Sequence, residues 1–121
     1  MVARLKKRSE FISAQRSGHK VVCKTIIVEL AQNRFDEIRV GFTVSKKVSK
    51  LAVIRNKLKR RLRASADIVM PELGNEGFDY VIIGRVTALK HSFETIVKDL
   101  TYAINRLHKE HLENENNSPT L

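Results

Sequence analysis

The chain has 121 residues, 23 of them Lys or Arg and 13 Asp or Glu, for a formal charge of +10. That length suits one domain able to bury a core without metals or disulfides, and the excess of cations favours a polyanion as partner over a small neutral substrate. No apolar stretch reaches the ~18 residues of a spanning helix and Met1–Arg8 has no apolar signal core, so the expected address is the cytoplasm, with no membrane partner.

Residues 9–17 read as a short helix: Ser9 caps it, Phe11, Ile12 and Ala14 face a core, and Gly18 stops it. Val21 to Leu30 is rich in β-branched residues and reads as a strand. Cys23, the single cysteine, lies in this run, which excludes an intramolecular disulfide and a multi-cysteine zinc site and predicts a core or near-core thiol. After a turn at 33–37, Ile38, Val40, Phe42 and Val44 alternate with Arg39, Gly41 and Thr43, the pattern of a strand with one buried face. A basic helix is predicted from about Leu51 to Val69, ended by Pro71, with Gly74 and Gly77 in the loop beyond. Phe78 to Val86 is nearly unbroken apolar sequence, as in a central strand covered on both faces. Phe93, Ile96, Val97, Leu100, Ile104 and Leu107 then recur at three- and four-residue steps, a final helix capped by Ser92. The order αβ(β)αβα predicts a mixed α/β domain over residues 1–112, followed by a disordered acidic and polar tail over 113–121.

The basic helix carries the functional signal. Between Lys46 and Arg63 stand nine Lys or Arg and no acid, yet Ile54, Leu58 and Leu62 keep helical spacing. At about 100° per residue these three make an apolar stripe, while Arg55, Asn56, Lys59, Arg60 and Arg63 form one polar arc and Lys57 and Arg61 fall on the opposite flank. Arg forks suit bidentate phosphate contacts, Lys supplies point charge, and Asn can read a base edge. A merely solvated face is the competing reading; such faces mix signs, whereas this density of like charge repels itself until a partner neutralises it. No paired acids and no His accompany the block, and His19, His91, His108 and His111 are scattered, so neither catalytic nor metal-ligating residues are assigned to the chain.

The run Arg55-Asn56-Lys57-Leu58-Lys59-Arg60-Arg61-Leu62-Arg63 resembles the arginine-rich signature of the bacterial ribonuclease P protein subunit. Val40 to Val48 is similar to the strand and turn before that signature. Arg4-Leu5-Lys6-Lys7 with Glu10-Phe11 is similar to the approach to the family's first helix, and Phe78 to Arg85 to its late strand. The resemblance, over roughly residues 4 to 107, implies an α+β two-layer fold, αβββαβα. It also implies a mixed central sheet with a left-handed βαβ crossover, shared with a ribosomal protein domain and a domain of elongation factor G; the third strand must then be cut from Val21 to Val44.

The same resemblance implies a function. It is that of a subunit of a ribonucleoprotein endonuclease that removes the 5′ leader of precursor tRNA, with Mg²⁺ held mainly by the catalytic RNA. The implied partners are that RNA and precursor tRNA, and not DNA. Arg55, Asn56, Lys57, Lys59, Arg60 and Arg63 would hold RNA, with Lys46 and Lys47 extending the footprint. Phe11, Gln15, Thr25, Ile27 and Glu29 would line a leader groove. Lys57 stands where the signature usually has Arg, and Gln15 and Glu29 where relatives carry aromatics. The alternative is a ribosomal or other structured-RNA-binding protein without a nuclease role.

Overall fold

The computed structural model describes residues 2–116. A five-stranded mixed sheet is built from β1 (Val2–Arg4), β2 (His19–Val22), β3 (Ile26–Gln32), β4 (Ile38–Thr43) and β5 (Phe78–Gly84), in the order β1-β4-β5-β3-β2. β4 lies parallel to both β1 and β5, while β3 is antiparallel to both β5 and β2. The helices are α1 (Arg8–Arg16), α2 (Ala52–Leu73), which joins the parallel neighbours β4 and β5, and α3 (Phe93–Asn116), reached through a 3₁₀ turn at Val86–Lys90. The expected αβββαβα order is present, preceded by one short strand.

The alternation along the strands divides the core. Ile26, Val28, Leu30, Val40, Phe42, Tyr80 and Ile82 face α2 and α3, meeting Leu58, Leu62, Val69 and Met70 from one and Ile96, Leu100, Ile104 and Leu107 from the other. The opposite face receives only α1, through Ala14 and Phe11 against Leu5, Val81 and Ile83. One nine-residue helix cannot cover five strands, so Val22 stays exposed and Ile27 and Thr43 half-exposed, leaving a groove beside α1.

Several elements differ from expectation. β1 was not expected; its three residues are too few for a period, and its pairing to β4, Val2 with Ile38 through Arg4 with Val40, is a tertiary event. The single strand over Val21–Leu30 is a hairpin of β2 and β3, broken where the Asp99 carboxylate accepts hydrogen bonds from the Thr25 amide at 2.9 Å and hydroxyl at 2.6 Å. α1 begins one residue earlier than Ser9, with Lys7 as cap and Glu10 Oε1 accepting from the amides of Lys7 and Lys6 at 2.9 and 3.1 Å. Gly18 does stop that helix, at φ +75°.

α2 runs through Pro71 to Leu73. The carbonyl that the proline leaves without its helical donor belongs to Asp67, an exposed residue, and the Gly74 amide closes the last turn on Met70 O at 2.8 Å. α3 extends to Asn116, so the first four residues of the expected disordered tail are helical, supported by an i,i+4 pair of His111 and Glu115 at 3.2 Å. Residues 117–121 lie outside the described residues.

Candidate nucleic-acid interface

α2 buries Leu58, Leu62, Ala66, Val69 and Met70 and turns its other side outward. Asn56, Lys57 and Arg60 are exposed. Arg55, Lys59 and Arg63, each one turn from the next, are half-buried along one flank. Arg55 is braced by donating Nη1–H to Ser49 O at 2.8 Å, which ties the first turn of the helix to the preceding loop. In that loop Val48 is buried and its amide reaches Ser45 O at 3.0 Å, a tight turn that leaves Lys46 and Lys47 exposed. The first turn of α2 has no acid, so the positive end of the helix dipole adds to the charge of the side chains. Among the described residues no carboxylate forms an ion pair with any Lys or Arg between 46 and 63; the pairs present involve Arg39, Arg106 and His111.

Arg61 has a different job. Its guanidinium turns away from the arc and donates to His91 O at 2.8 Å and Ala88 O at 3.4 Å, holding the connection between β5 and α3 against the helix. Lys57 shares a shallow depression with Arg60, Arg61, Ala64 and Phe93 on that same side, apart from the Arg55–Lys59–Arg63 flank.

The expected groove residues are only partly gathered. Phe11 projects from α1 onto Gly41; a Cβ at that glycine would lie 2.6 Å from the Phe11 ring, so the close approach needs glycine. Gln15 is exposed on α1 and Ile27 half-exposed on β3. Glu29 is buried at 8 % exposure, and burial raises its carboxyl pKa against the opposing pull of Lys20, its direct neighbour across the β2–β3 ladder. Thr25 does not line the groove. It is wholly buried and bonded to Asp99 of α3, because the hairpin bend turns it from the face that Ile27 and Glu29 share.

Sequence reasoning missed what fixes α1. Arg39 donates Nε–H and Nη2–H to the two oxygens of Asp79 at 2.7 and 2.8 Å and Nη1–H to Glu10 Oε2 at 2.6 Å. Asn33 adds a bond to Asp79 at 2.8 Å, and the Phe35 ring lies 4.8 Å from the guanidinium. A lone acid in the apolar run of β5, in register with a lone base in β4, is the trace this network leaves in the sequence. Glu10 is held below the ordinary carboxylate range, first by the Lys7 amide, with the Lys6 amide and Arg39 adding to it against some desolvation. Lys20, over the groove, was likewise missed.

On the α3 side, His108 Nε2 meets the Tyr80 hydroxyl at 2.5 Å, burial pushes that phenol up to about 12, and burial also lowers the His108 pKa. Cys23 is half-buried, and desolvation, then Asp99, push its thiol up to about 11, which suits packing and not nucleophilic work. Among the described residues no cluster of three His, Cys, Asp or Glu is placed to hold a metal ion.

An α+β sheet whose parallel pair is spanned by a helix of unneutralised cations, with an open groove on the opposite face, makes this a small basic protein built to meet a polyanion. Residues 2–108 match the family model for ribonuclease P. The ribonuclease P protein component of Ruegeria pomeroyi is 40% identical over 107 residues, covering 86% of this chain and 85% of that one. That of Paramagnetospirillum magneticum is 38% identical over 109 residues, covering 86% and 81%. The RNase P protein of Staphylococcus aureus superposes with a TM-score of 0.73 at 29% identity, covering 85% of this chain and 93% of that one. The Thermotoga maritima protein gives 0.71 at 28%, covering 88% and 96%. The chain belongs to the ribonuclease P protein family.

Proposed function

We propose that this ribonuclease P protein component grips the catalytic RNA through α2 and the turn before it, and receives the 5′ leader of precursor tRNA in the groove between α1 and the sheet. The observation that carries the reading is the set of cations left without carboxylate partners, Arg55, Lys59, Arg60 and Arg63 on a helix whose other side is anchored in the core and Lys46 and Lys47 in the turn before it. Such a surface lowers the repulsion between two RNA chains. Asn56 and Lys57 extend it, Asn56 as the group able to read a base edge. In the groove, Phe11 offers one ring while Gln15, Ile27 and Glu29 replace a stacking platform with hydrogen bonds and shape. Lys20 offsets the charge of Glu29 there.

Lys and Arg are not ligands for Mg²⁺, so this reading puts the Mg²⁺ ions and the hydrolysis on the RNA, with the chain raising substrate affinity and favouring ion binding indirectly. The role places it in the bacterial cytoplasm, and no helix of the described residues is long and apolar enough to cross a membrane. The test is reconstitution: the chain, the catalytic RNA and precursor tRNA at low Mg²⁺, against each component alone. Cleavage only when protein and RNA are combined is the expected result; cleavage by the protein alone would overturn the division of labour.

A further inference from the structure

Between α2 and the β1–β4 edge lies a cavity of about 320 Å³ lined by Val2, Arg4, Phe42, Arg63, Asp67 and Pro71 among others. Its size is at the lower end of cavities that hold small ligands. Arg63 enters it from the basic flank of α2, while Arg4 comes from β1 and lies 5.4 Å from the centroid of the Phe42 ring. The Nε–H of Arg63 is shut off from water and has no acceptor, the one buried side-chain polar atom in that state among the described residues. A buried donor left unmet costs free energy, which a swing of the guanidinium into the cavity to meet an anionic oxygen would relieve. Asp67 is the opposing charge, but it is exposed and pairs with neither arginine among the described residues, so two cations face one carboxylate.

We infer that this cavity receives a single unpaired nucleotide of the RNA partner, its phosphate between Arg4 and Arg63 and its base against Phe42 and Pro71. A phosphate alone would use the two guanidinium groups and leave the apolar wall of Val2, Phe42 and Pro71 wet; a base joined to that phosphate uses both. A paired duplex presents its phosphates but keeps its bases stacked, so only an extruded nucleotide fills the cavity. This inference rests on the RNA-binding reading of α2 and adds to it which feature of an RNA is recognised.

The experiment titrates the full, nitrogen-15-labelled chain with two RNA hairpins, identical except for one bulged adenosine, and with adenosine monophosphate alone, reading the Arg63 Nε–H resonance and the dissociation constants. The bulged hairpin should bind about tenfold more tightly than the paired one and should shift that resonance, which the paired hairpin leaves in place. Arg4→Gln should remove the preference. Equal binding and equal shifts by both hairpins would show a site for backbone phosphate only and overturn the inference. Binding of both hairpins with the resonance unmoved would overturn it while leaving α2 as the RNA interface. Binding of adenosine monophosphate as tight as that of the bulged hairpin would make free nucleotide the ligand and overturn it too. If neither hairpin binds, the RNA-binding reading itself fails, a result distinct from the others. The wild-type comparison decides the matter even if Arg4→Gln does not fold.

Discussion

Replacing Arg39 by Met removes one guanidinium from between two carboxylates and should unfold the chain far more readily than loss of an exposed cation from the basic helix. The Arg39, Glu10 and Asp79 side chains are 15%, 19% and 6% exposed, so the pair with Asp79 is the buried one. Without Arg39, Asp79 keeps a single bond from Asn33, while Glu10 keeps two backbone amides and some water. Leaving a buried charge uncompensated costs about 3–5 kcal/mol, and the partly exposed Glu10 adds little. The expected loss is thus about 3 kcal/mol, out of a total stability on the order of 5–15 kcal/mol for a domain. Because a buried ion pair replaced on both sides by apolar groups is nearly neutral, Asp79→Leu added to Arg39→Met should restore much of the loss. Urea unfolding followed by circular dichroism measures all three proteins. A loss below about 1 kcal/mol for Arg39→Met, the size of a surface pair, would refute the reasoning, as would a double variant weaker than the single one.

Other substitutions probe separate parts of the molecule. Gly41→Ala places a methyl 2.6 Å from the Phe11 ring and 3.0 Å from Leu5 Cδ1, and should cost about 1–3 kcal/mol by thermal melting; an unchanged melting temperature would show that α1 does not rest there. Glu10→Gln should be destabilising at neutral pH, because a carboxyl whose pKa is lowered on folding stabilises the fold above its unfolded pKa and ceases to as pH falls through its folded value. The gap between Glu10→Gln and wild type in urea midpoint should therefore close with falling pH across that window; a gap that widens contradicts the assignment. Arg61→Met should lower stability by about 1–3 kcal/mol, by taking the guanidinium donor from the His91 carbonyl while Ala88 O keeps the His91 amide, with a much smaller effect on RNA affinity than Arg60→Met; the reverse ranking would move Arg61 into the interface.

What could be read from the chain was whatever rested on long periods. The α2 and α3 stripes and the β4 alternation are present because apolar residues at helix or strand spacing leave few other ways to bury them. Features decided by partners distant in sequence were hidden. β1 depends on pairing with β4, and the break between β2 and β3 depends on Asp99, some 74 residues on from Thr25. That break reversed Thr25 relative to Ile27, which a simple two-residue period put on one face. Pro71 misled because the donor it removes is missing at Asp67, an exposed residue, and not on the buried side of the helix. Charge on the basic helix was legible, but not its division of labour. Spacing placed Lys57 and Arg61 together on one flank, and only the positions of the Ala88 and His91 carbonyls show that Arg61 is a structural brace. The Arg39–Asp79–Glu10 network joins three elements, so no local pattern announces it.

The salt dependence of binding to the catalytic RNA tests the central claim, that an unneutralised cationic ridge on α2 and the turn before it is the RNA interface. If the ridge neutralises about six to ten phosphates, wild-type affinity should fall ~10³- to 10⁵-fold between about 50 and 200 mM salt, and Lys46→Ala, Lys59→Ala and Arg60→Ala combined should lower the log–log slope by about 0.7–0.9 for each phosphate no longer neutralised. A dissociation constant indifferent to salt, or a slope the triple variant leaves unchanged, would contradict it.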